Sequence, residues 1–358
     1  LVLLGWIWAC AADVQKVGLT LGYCNSAFTG KGAAVSVDVP SGKFSVAGKF
    51  NYPGGIDQSC LVLEDCVASA SGKDVYLSFS TEFGLLSVID NAAGKETHFA
   101  KGRSLDQWLF DGFTSMQQTK EGKFLAGLTP HVTEDGFCSD GCFRYGLQNI
   151  ADGGFKGAQG MGPGGALPFK SVMSESSRLD EQAGLYFAQG SYPLDSAASC
   201  SSDETTQCLF TLNSTTGQLL SSKLLADNIT VYSYSASPPD KDGASLLWVF
   251  GFESVCKHPY NSFAFVRVNL QTGKVFGQPV CIPQNITVHE NPGMAAFSAD
   301  EKYLATASGN SETGDLQLLV FDSATGAAVV NTDLQGLKLR LGVSPDAPFI
   351  EVWGLTWL

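Results

Sequence analysis

Seven residues in loop-like segments of this sequence have side chains that could hold a metal ion or transfer protons. They are His131, Glu134, Asp135, Asp140, Glu253, His258 and His289. Neutral imidazole and ionised carboxylate groups bind divalent metals and act as general acids and bases. We treat them as candidate binding residues. The simpler interpretation, which we favour, is that they lie on separate repeats and are polar because loops are polar, so no metal site and no catalytic residue is assigned.

Two glycine-containing segments begin like ligand-binding loops and then depart from the pattern. Asp240-Lys-Asp242-Gly243 has the start of a calcium loop, but the bidentate glutamate of an EF-hand does not follow. The glycine-rich stretch 153–165 has no Gly-Lys-Ser/Thr ending and no helix after it, so it lacks the dipole that would hold a phosphate. We interpret the first as a turn and the second as a connection between repeats. No cofactor is predicted, and calcium remains the alternative.

The ten cysteines predict disulfides, because several fall in close pairs within loops. The predicted pairs are Cys138 with Cys142, Cys200 with Cys208, and Cys256 with Cys281. Cys60 and Cys66 flank a strand-like segment whose extended length is about 20 Å, beyond disulfide reach. One of them is therefore expected to pair with Cys24, which leaves one thiol over. Zinc at Cys138 and Cys142 is the alternative, but a structural zinc site needs four ligands and no second pair stands nearby.

The first twelve residues are apolar and end in small side chains, with Ala9 and Ala11 spaced as in a signal-peptidase site. Residues 1–12 are therefore predicted to be the remnant of a secretory signal, and the protein is expected to be secreted, extracellular or lumenal. A buried first strand is the alternative, and a lipoprotein acylated at Cys10 is disfavoured by the bulky Trp8. The segment is too short to span a bilayer, and no other segment is predicted to do so.

Three Asn-X-Ser/Thr sequons are candidate glycosylation sites for an exported protein of eukaryotic source. They begin at Asn213, Asn228 and Asn285. All three are predicted to lie in turns or loops, where a glycan could be accommodated, although their number is close to what chance would give in a chain rich in Ser and Thr.

The elements that must position these residues come from a repeat. An Asp or Asn at the end of an alternating strand, followed by Gly four residues later, occurs six times at intervals of 52 to 64 residues. The anchor pairs are Asp38/Gly42, Asp90/Gly94, Asn149/Gly153, Asn213/Gly217, Asn269/Gly273 and Asp322/Gly326. Each pair predicts a hairpin in which glycine supplies the positive φ that reverses the chain. The interval is that of a four-stranded unit.

Four strands can be placed in each repeat, and no helical period separates them. In the last complete repeat they are 294–298, 302–307, 316–322 and 327–332. Small antiparallel sheets repeated in this way bury both faces against their neighbours when they form a ring. The sequence therefore predicts an all-β fold, a β-propeller of six to seven four-stranded blades.

The last repeats carry a resemblance to known propellers. Ser298-Ala-Asp-Glu-Lys-Tyr-Leu-Ala-Thr-Ala followed by Leu318-Leu-Val-Phe-Asp322-Ser-Ala-Thr-Gly326 resembles a blade of the WD40, YVTN and quinoprotein-like propellers, and Ser344-Pro-Asp346 resembles the start of another. The resemblance implies the fold over residues 17–358. It implies no activity, because the sequence has no Trp-Asp dipeptide, Asp-box or quinone-binding signature.

One domain is expected over residues 13–358, since the repeat runs through nearly all of it. The expected blades are 17–50, 51–104, 105–165, 166–227, 228–284, 285–338 and a partial 339–358. The first lacks its opening strand, which residues 339–343 are expected to supply. Residues 349–358 then resemble a second strand of a seventh blade, so the chain is expected to be truncated at the C-terminus, and at the N-terminus as well.

Topology and charge limit the function. Connections after the second and fourth strands of a blade share one rim, and the cysteine-containing segments fall there. A formal charge of −13 disfavours nucleic acid. The favoured function is a secreted or surface-exposed module that recognises a protein or glycan. The alternative is a propeller hydrolase or lyase with acidic residues at the channel mouth. Whether the protein is an enzyme, and its oligomeric state, stay open.

Overall fold

The structure of the protein is a computed structural model, and it describes most of the strands and the short turns. The described residues are 15–24, 30–39, 41–51, 63–69, 71–79, 84–104, 112–130, 132–133, 136–137, 143–158, 167, 169, 171–191, 200, 207–225, 229–251, 253–256, 263–283, 286, 288, 294–309, 316–343 and 350–358. Residues 1–12, predicted as a signal remnant, lie outside them.

Within these residues the chain forms strands and two short helices, which group into six blades. Blade 1 contains β1 (Gln15–Cys24), β2 (Gly30–Val39) and β3 (Phe44–Asn51). Blade 2 contains β4 (Leu63–Ala68), β5 (Asp74–Phe79), β6 (Leu85–Asp90) and β7 (Lys95–Lys101). Strand β8 (Arg103–Ser104) precedes blade 3, and its main strands are β9 (Ser115–Gln118), β10 (Phe124–Pro130), β13 (Phe143–Asn149) and β14 (Gly154–Gly157). Strands β11 (Val132–Thr133) and β12 (Gly136–Phe137) form a separate hairpin after β10.

The remaining blades follow the same order. Blade 4 contains β15 (Ser171–Asp180), β16 (Leu185–Ser191), β17 (Cys208–Asn213) and β18 (Leu219–Leu224). Blade 5 contains β19 (Thr230–Tyr234), β20 (Ala244–Phe250), β21 (Ala264–Asn269) and β22 (Lys274–Cys281), with helix α1 (Glu253–Cys256) after β20. Blade 6 contains β23 (Met294–Phe297), β24 (Tyr303–Gly309), β25 (Leu316–Asp322) and β26 (Ala328–Asp333). Helix α2 (Leu337–Leu341) and strand β27 (Ile350–Trp357) end the chain.

The six sheets form a closed ring, so the predicted all-β propeller is confirmed with six blades. The first strand of each blade lies innermost, and these inner strands contact one another in the order β27, β4, β9, β15, β19, β23 and back to β27. Every blade is antiparallel throughout its four main strands, and only β8 adds in parallel to the outer edge of blade 3.

Each of the six predicted hairpin turns is present at its anchor pair. In every turn the glycine amide donates to the carbonyl of the Asp or Asn four residues earlier, as from Gly94 to Asp90 at 2.8 Å. The six glycines have φ between 64° and 73°. In this left-handed region glycine has no steric penalty, which explains why it recurs at this position.

Ring closure corrects one prediction. Strand β27 pairs antiparallel with β1, so residues 350–357 form the inner strand of blade 1 and do not begin a seventh blade. Residues 339–343 do not supply that strand, because they belong to α2 and the turn after it. Leu337 and Leu341 are buried whereas Leu339 is 84% exposed. In a strand all three leucines would lie on one face, whereas in a helix Leu337 and Leu341 share a face that does not include Leu339.

Apolar side chains fill all six seams between adjacent blades. Each seam has its own hydrophobic cluster, so the core is distributed around the ring. In the seam between blades 1 and 2, Trp353 packs edge-to-face on Phe79 with ring centroids 5.3 Å apart. Such aromatic pairs add stability beyond the area they bury.

Polar side chains fasten some seams as well. Gln189 of blade 4 is fully buried, donates from Nε2 to the carbonyl of Ile229 at 2.8 Å and accepts the amide of Val231 at 2.6 Å. The side-chain amide thus extends the backbone pairing from one blade to the inner strand of the next. Because a buried amide without these partners would be costly, the bonds fix the register between the two blades.

Candidate functional site

The two ends of the blades differ. Connections after the second and fourth strands leave one end, which we call the rim, and those after the first and third leave the other, which we call the turn face. The rim connections are residues 25–29, 52–62, 80–84, 102–114, 131–142, 158–170, 192–207, 225–229, 251–263, 282–293, 310–315 and 334–349. The turn-face connections are residues 40–43, 69–73, 91–94, 119–123, 150–153, 181–184, 214–218, 235–243, 270–273, 298–302 and 323–327.

Two predicted disulfides are confirmed, and both involve rim connections. Cys200 and Cys208 lie at the end of the connection after β16, with their Cα atoms 6.0 Å apart. Cys256, in α1, is bonded to Cys281 at the end of β22, with a Cα distance of 5.5 Å. The pair Cys138 and Cys142 lies outside the described residues, as does Cys60, and the pairing of Cys24 is not described.

The second disulfide also reaches the seam between blades 5 and 6. The turn glycine of blade 6, Gly326, lies against the backbone of Cys281, and a Cβ atom at Gly326 would stand 2.3 Å from the Cys281 carbonyl oxygen. Helix α1 is therefore tied covalently to a strand end that is itself fixed by the neighbouring blade. This rim helix rests on the rigid ring and carries Val255, which is 41% exposed.

The side chains of the seven predicted site residues all lie outside the part of the chain that the structure describes. His131, Glu134, Asp135, Asp140, His258 and His289 lie outside the described residues, and Glu253 begins α1 without a described side chain. Their shared location remains the topological prediction that all belong to rim connections. Within the described residues no group of three or more His, Cys, Asp or Glu side chains could hold a metal ion.

Asp240 closes a turn on the opposite face. Its Oδ1 accepts the amide of Asp242 at 2.9 Å and that of Ala244 at 3.0 Å, and its Oδ2 lies 3.6 Å from Arg267. The backbone hydrogen bond from Ala244 is the main reason that the pKa of Asp240 falls below its usual value. Oδ1 of Asp240 thus accepts hydrogen bonds from backbone amides of its own turn, as expected for a turn in this segment.

A polar network on the turn face was not expected from the sequence. Arg178, at the end of the inner strand of blade 4, is 7% exposed. Its guanidinium donates to the carbonyls of Ser235 at 2.9 Å and Ser237 at 2.7 Å, and to Oγ of Ser245 at 2.8 Å. Burial lowers the pKa of Arg178, opposed by the charges of Asp180 and Glu301. The side chain locks blade 4 to blade 5.

Glu301 continues this network into blade 6 in an unusual backbone conformation. It has φ of 60°, and it is the one non-glycine residue with positive φ among those the structure describes. Its carboxylate accepts from Oγ of Ser235 and from Arg267 at 3.2 Å, and its carbonyl accepts from Oγ of Ser323. The matching turns of blades 2 to 5 have glycine at the corresponding point, at residues 72, 122, 184 and 243. Aligning the five turns is the sequence signal that would have revealed it.

The rim and the turn face also differ in charge. By sequence, the rim connections contain sixteen Asp and Glu against five Lys and Arg, whereas the turn-face connections contain seven against six. Most of the formal charge of −13 thus belongs to connections that begin and end at the rim. A surface with this imbalance attracts cations and repels anions.

Comparison with known proteins establishes the fold. The periplasmic gluconolactonase PpgL of Pseudomonas aeruginosa matches with a TM-score of 0.50 at 12% identity, over 96% of this chain and 99% of that chain. A protein assigned as TolB from Agrobacterium tumefaciens has a TM-score of 0.46 at 12% identity, over 96% and 99%. The calcium-binding protein regucalcin of the same organism has a TM-score of 0.41 at 12% identity, over 76% and 74%.

The sequence itself matches no known protein-family profile and no curated protein. At 12% identity the likeness to the gluconolactonase concerns the propeller fold alone. Among the described residues, none of the helices has the length and apolar character needed to cross a membrane.

Proposed function

We propose that the protein is an exported β-propeller that recognises a protein or carbohydrate partner through its rim. The observation that carries the proposal is the contrast between the two ends of the blades. All but one of the turn-face connections have four or five residues, whereas the rim connections range from five to sixteen and include both described disulfides. Variable loops held on a rigid frame are how a common fold gains a specific binding surface.

The acidic composition of the rim connections supports a partner with basic groups. A net negative surface accelerates the approach of a cationic partner and slows that of an anionic one, and the effect weakens as salt rises. A basic protein segment or an amino-sugar glycan fits this field. Nucleic acid and sulfated glycans do not.

Export is supported by the two disulfides, because such bonds persist in oxidising compartments. The predicted signal remnant at residues 1–12 agrees with the same route.

The enzyme alternative has support from the likeness to a gluconolactonase, whose propeller spans the same length. It would require rim carboxylates at the channel mouth to act as acid and base.

A charge-matched pair of triple variants tests the proposal. The rim variant carries Glu134→Gln, Asp135→Asn and Asp140→Asn, and the turn-face variant carries Glu121→Gln, Asp152→Asn and Asp242→Asn. Each removes three negative charges. We expect an oligolysine peptide to bind the unmodified protein, to bind the rim variant several-fold more weakly, and to bind the turn-face variant nearly as well as the unmodified protein.

The same proteins are then screened against a glycan panel and against lactones. Equal weakening by both triple variants, or no oligolysine binding at low salt, would contradict recognition through the rim. Lactone hydrolysis, measured as base consumed at constant pH, would instead support the enzyme alternative if the rim variant abolished it and the turn-face variant did not.

A further inference from the structure

The hairpin turn at Asn213 presents an amide group that the rest of the described chain does not use. Oδ1 of Asn213 accepts the amides of Thr215 at 2.9 Å and Thr216 at 2.8 Å. No described group accepts a hydrogen bond from Nδ2, and that atom is not among the buried polar atoms that lack a partner. Thr215 is exposed. The turn therefore holds the side chain by its oxygen and leaves its nitrogen toward solvent.

This arrangement separates Asn213 from the five equivalent anchors. Asp38, Asp90 and Asp322 have no amide nitrogen, and neither Asn149 nor Asn269 has a hydroxyl residue two positions later. Nδ2 of Asn269 is also engaged, donating to the carbonyl of Asp242 at 3.2 Å. Asn213-Ser-Thr is thus the one repeat turn that combines a free amide with the hydroxyl that N-glycosylation requires.

The strand that follows the turn is the outer strand of its blade and has exposed apolar side chains. Leu220 is 50% exposed and Leu224 is 46% exposed, and both lie on β18, the outer strand of blade 4. The amide of Asn213 donates to the carbonyl of Gln218 at 2.9 Å, so Leu220 lies two residues beyond that pairing, about 7 Å along the strand. Apolar edge strands favour association between molecules unless they are covered.

We propose that Asn213 carries an N-linked glycan and that its first sugars cover the exposed side chain of Leu220. The inference rests on the proposed export, since the transfer takes place in the secretory pathway. Nδ2 forms a bond to C1 of a lipid-diphosphate-linked oligosaccharide, the bond from C1 to the diphosphate oxygen breaks, and the lipid diphosphate leaves. A base of the transferase takes the proton lost from Nδ2, so no redox partner is needed.

The turn allows a well-controlled test, because three other blades have Asp at the position equivalent to Asn213. Asn213→Asp keeps the oxygen that closes the turn, replaces the amide nitrogen to which a glycan would be attached by a second oxygen, and adds one negative charge. Thr215→Ala removes the hydroxyl, and Thr215→Ser restores it. Ala151→Thr places the same sequon on the equivalent turn of blade 3, at Asn149.

The full chain is secreted from a eukaryotic cell line and mapped by peptide mass after amidase treatment in heavy-oxygen water. We expect Asn213 to be modified in the unmodified protein and in Thr215→Ser, and unmodified in Thr215→Ala. We expect Asn149 to be modified only with Ala151→Thr. Secreted protein in which Asn213 is not modified overturns the inference.

Light scattering tests the covering role. Asn213→Asp is expected to self-associate at concentrations where the glycosylated protein stays monodisperse, and a further Leu220→Lys substitution is expected to reverse that. Monodisperse Asn213→Asp would overturn the covering role. A modified Asn213 in a protein without rim binding would refute only the proposed function, whereas rim binding with an unmodified Asn213 would refute only this inference.

Discussion

The turn face and the rim are built from the same strands but are constrained differently. At the turn face the third-to-fourth-strand turns share one conformation, and the glycines of five of them, residues 42, 94, 153, 273 and 326, lie against the outer strand of the preceding blade. A Cβ atom would stand 2.3 Å from the Gly48 amide nitrogen at Gly94, and 2.3 Å from the Lys101 carbonyl oxygen at Gly153. The rim connections, in contrast, vary in length from five to sixteen residues. The uniform turn face packs blade against blade in one repeated way, and the variable rim offers more freedom to acquire a function.

Removing the disulfide of α1 should cause the largest loss of stability. It would test whether disulfides stabilise the rim connections in addition to the packing between blades. Cys256→Ser with Cys281→Ser opens a loop with a sequence separation of 25. Chain entropy alone predicts a loss of about 3.5 kcal/mol. The matched control is Cys200→Ser with Cys208→Ser, where the separation is 8 and the predicted loss is about 2.5 kcal/mol. Urea unfolding measures both, and a larger loss for the shorter loop would contradict the argument.

Replacing a turn glycine by alanine should distinguish two costs: the steric clash of the new Cβ atom with the neighbouring blade, and the strain of a positive φ in a residue other than glycine. Gly153→Ala places Cβ against a backbone oxygen and keeps a φ of 73°, so we expect a loss of about 3 kcal/mol. Gly273→Ala has the same φ, but its nearest neighbour, the Leu224 carbonyl oxygen, is 3.7 Å away. There the loss should be the conformational cost alone, about 1 to 2 kcal/mol. Equal melting temperatures for the two variants would show that the seam does not constrain the turn.

Features that depend on residues close together in the sequence could be predicted, whereas features that join distant segments could not. The turns at Asp90 and Asn213 depend on residues four apart, so their repeat could be recognised directly. The pairing of β27 with β1 joins opposite ends of the chain, and no local pattern distinguished residues 350–357 from 339–343 as the closing strand. Leu337-Lys-Leu339-Arg-Leu341 alternates apolar and polar residues as a strand does, so the local pattern did not indicate the helix α2 that forms there.

The candidate site was predictable only in part. The pair Cys200 with Cys208 was found because a short separation within a loop favours pairing, and the pair Cys256 with Cys281 because the two cysteines lie in loops of one repeat. The network of Arg178 was not, because its partners are main-chain carbonyls of the next blade, which have no sequence signature. The seven predicted rim residues remain a prediction from topology.

Replacing the buried arginine should have an intermediate effect. Arg178→Met keeps the apolar bulk but leaves the carbonyls of Ser235 and Ser237 without their donor, which we expect to cost about 2 to 3 kcal/mol. Arg267→Met is the control, since its side chain is 42% exposed and its ion pairs should contribute less than about 1 kcal/mol. Thermal unfolding compares them. A larger loss of stability in Arg267→Met would mean that the exposed ion pairs, and not the buried arginine, stabilise the contact between blades.

The smallest expected effect concerns Glu301, where the repeated turn departs from glycine. Glu301→Gly removes the hydrogen bonds to Ser235 and Arg267 but relieves a positive φ, so the two changes should offset to within about 1 kcal/mol. Glu301→Ala loses the same bonds and keeps the strain. We therefore expect Glu301→Ala to be less stable than Glu301→Gly by about 1 kcal/mol in urea unfolding.

That difference isolates the conformational cost, since neither variant can make the bonds of the carboxylate. If Glu301→Ala were as stable as Glu301→Gly, the backbone would not be strained at this residue. The hydrogen bonds from Ser235 and Arg267 would then offset no conformational cost. If both variants were much less stable than the natural chain, the carboxylate would be a principal fastening between blades 5 and 6. In blade 6, a charged side chain would then join the two blades at a turn position where blades 2 to 5 have glycine.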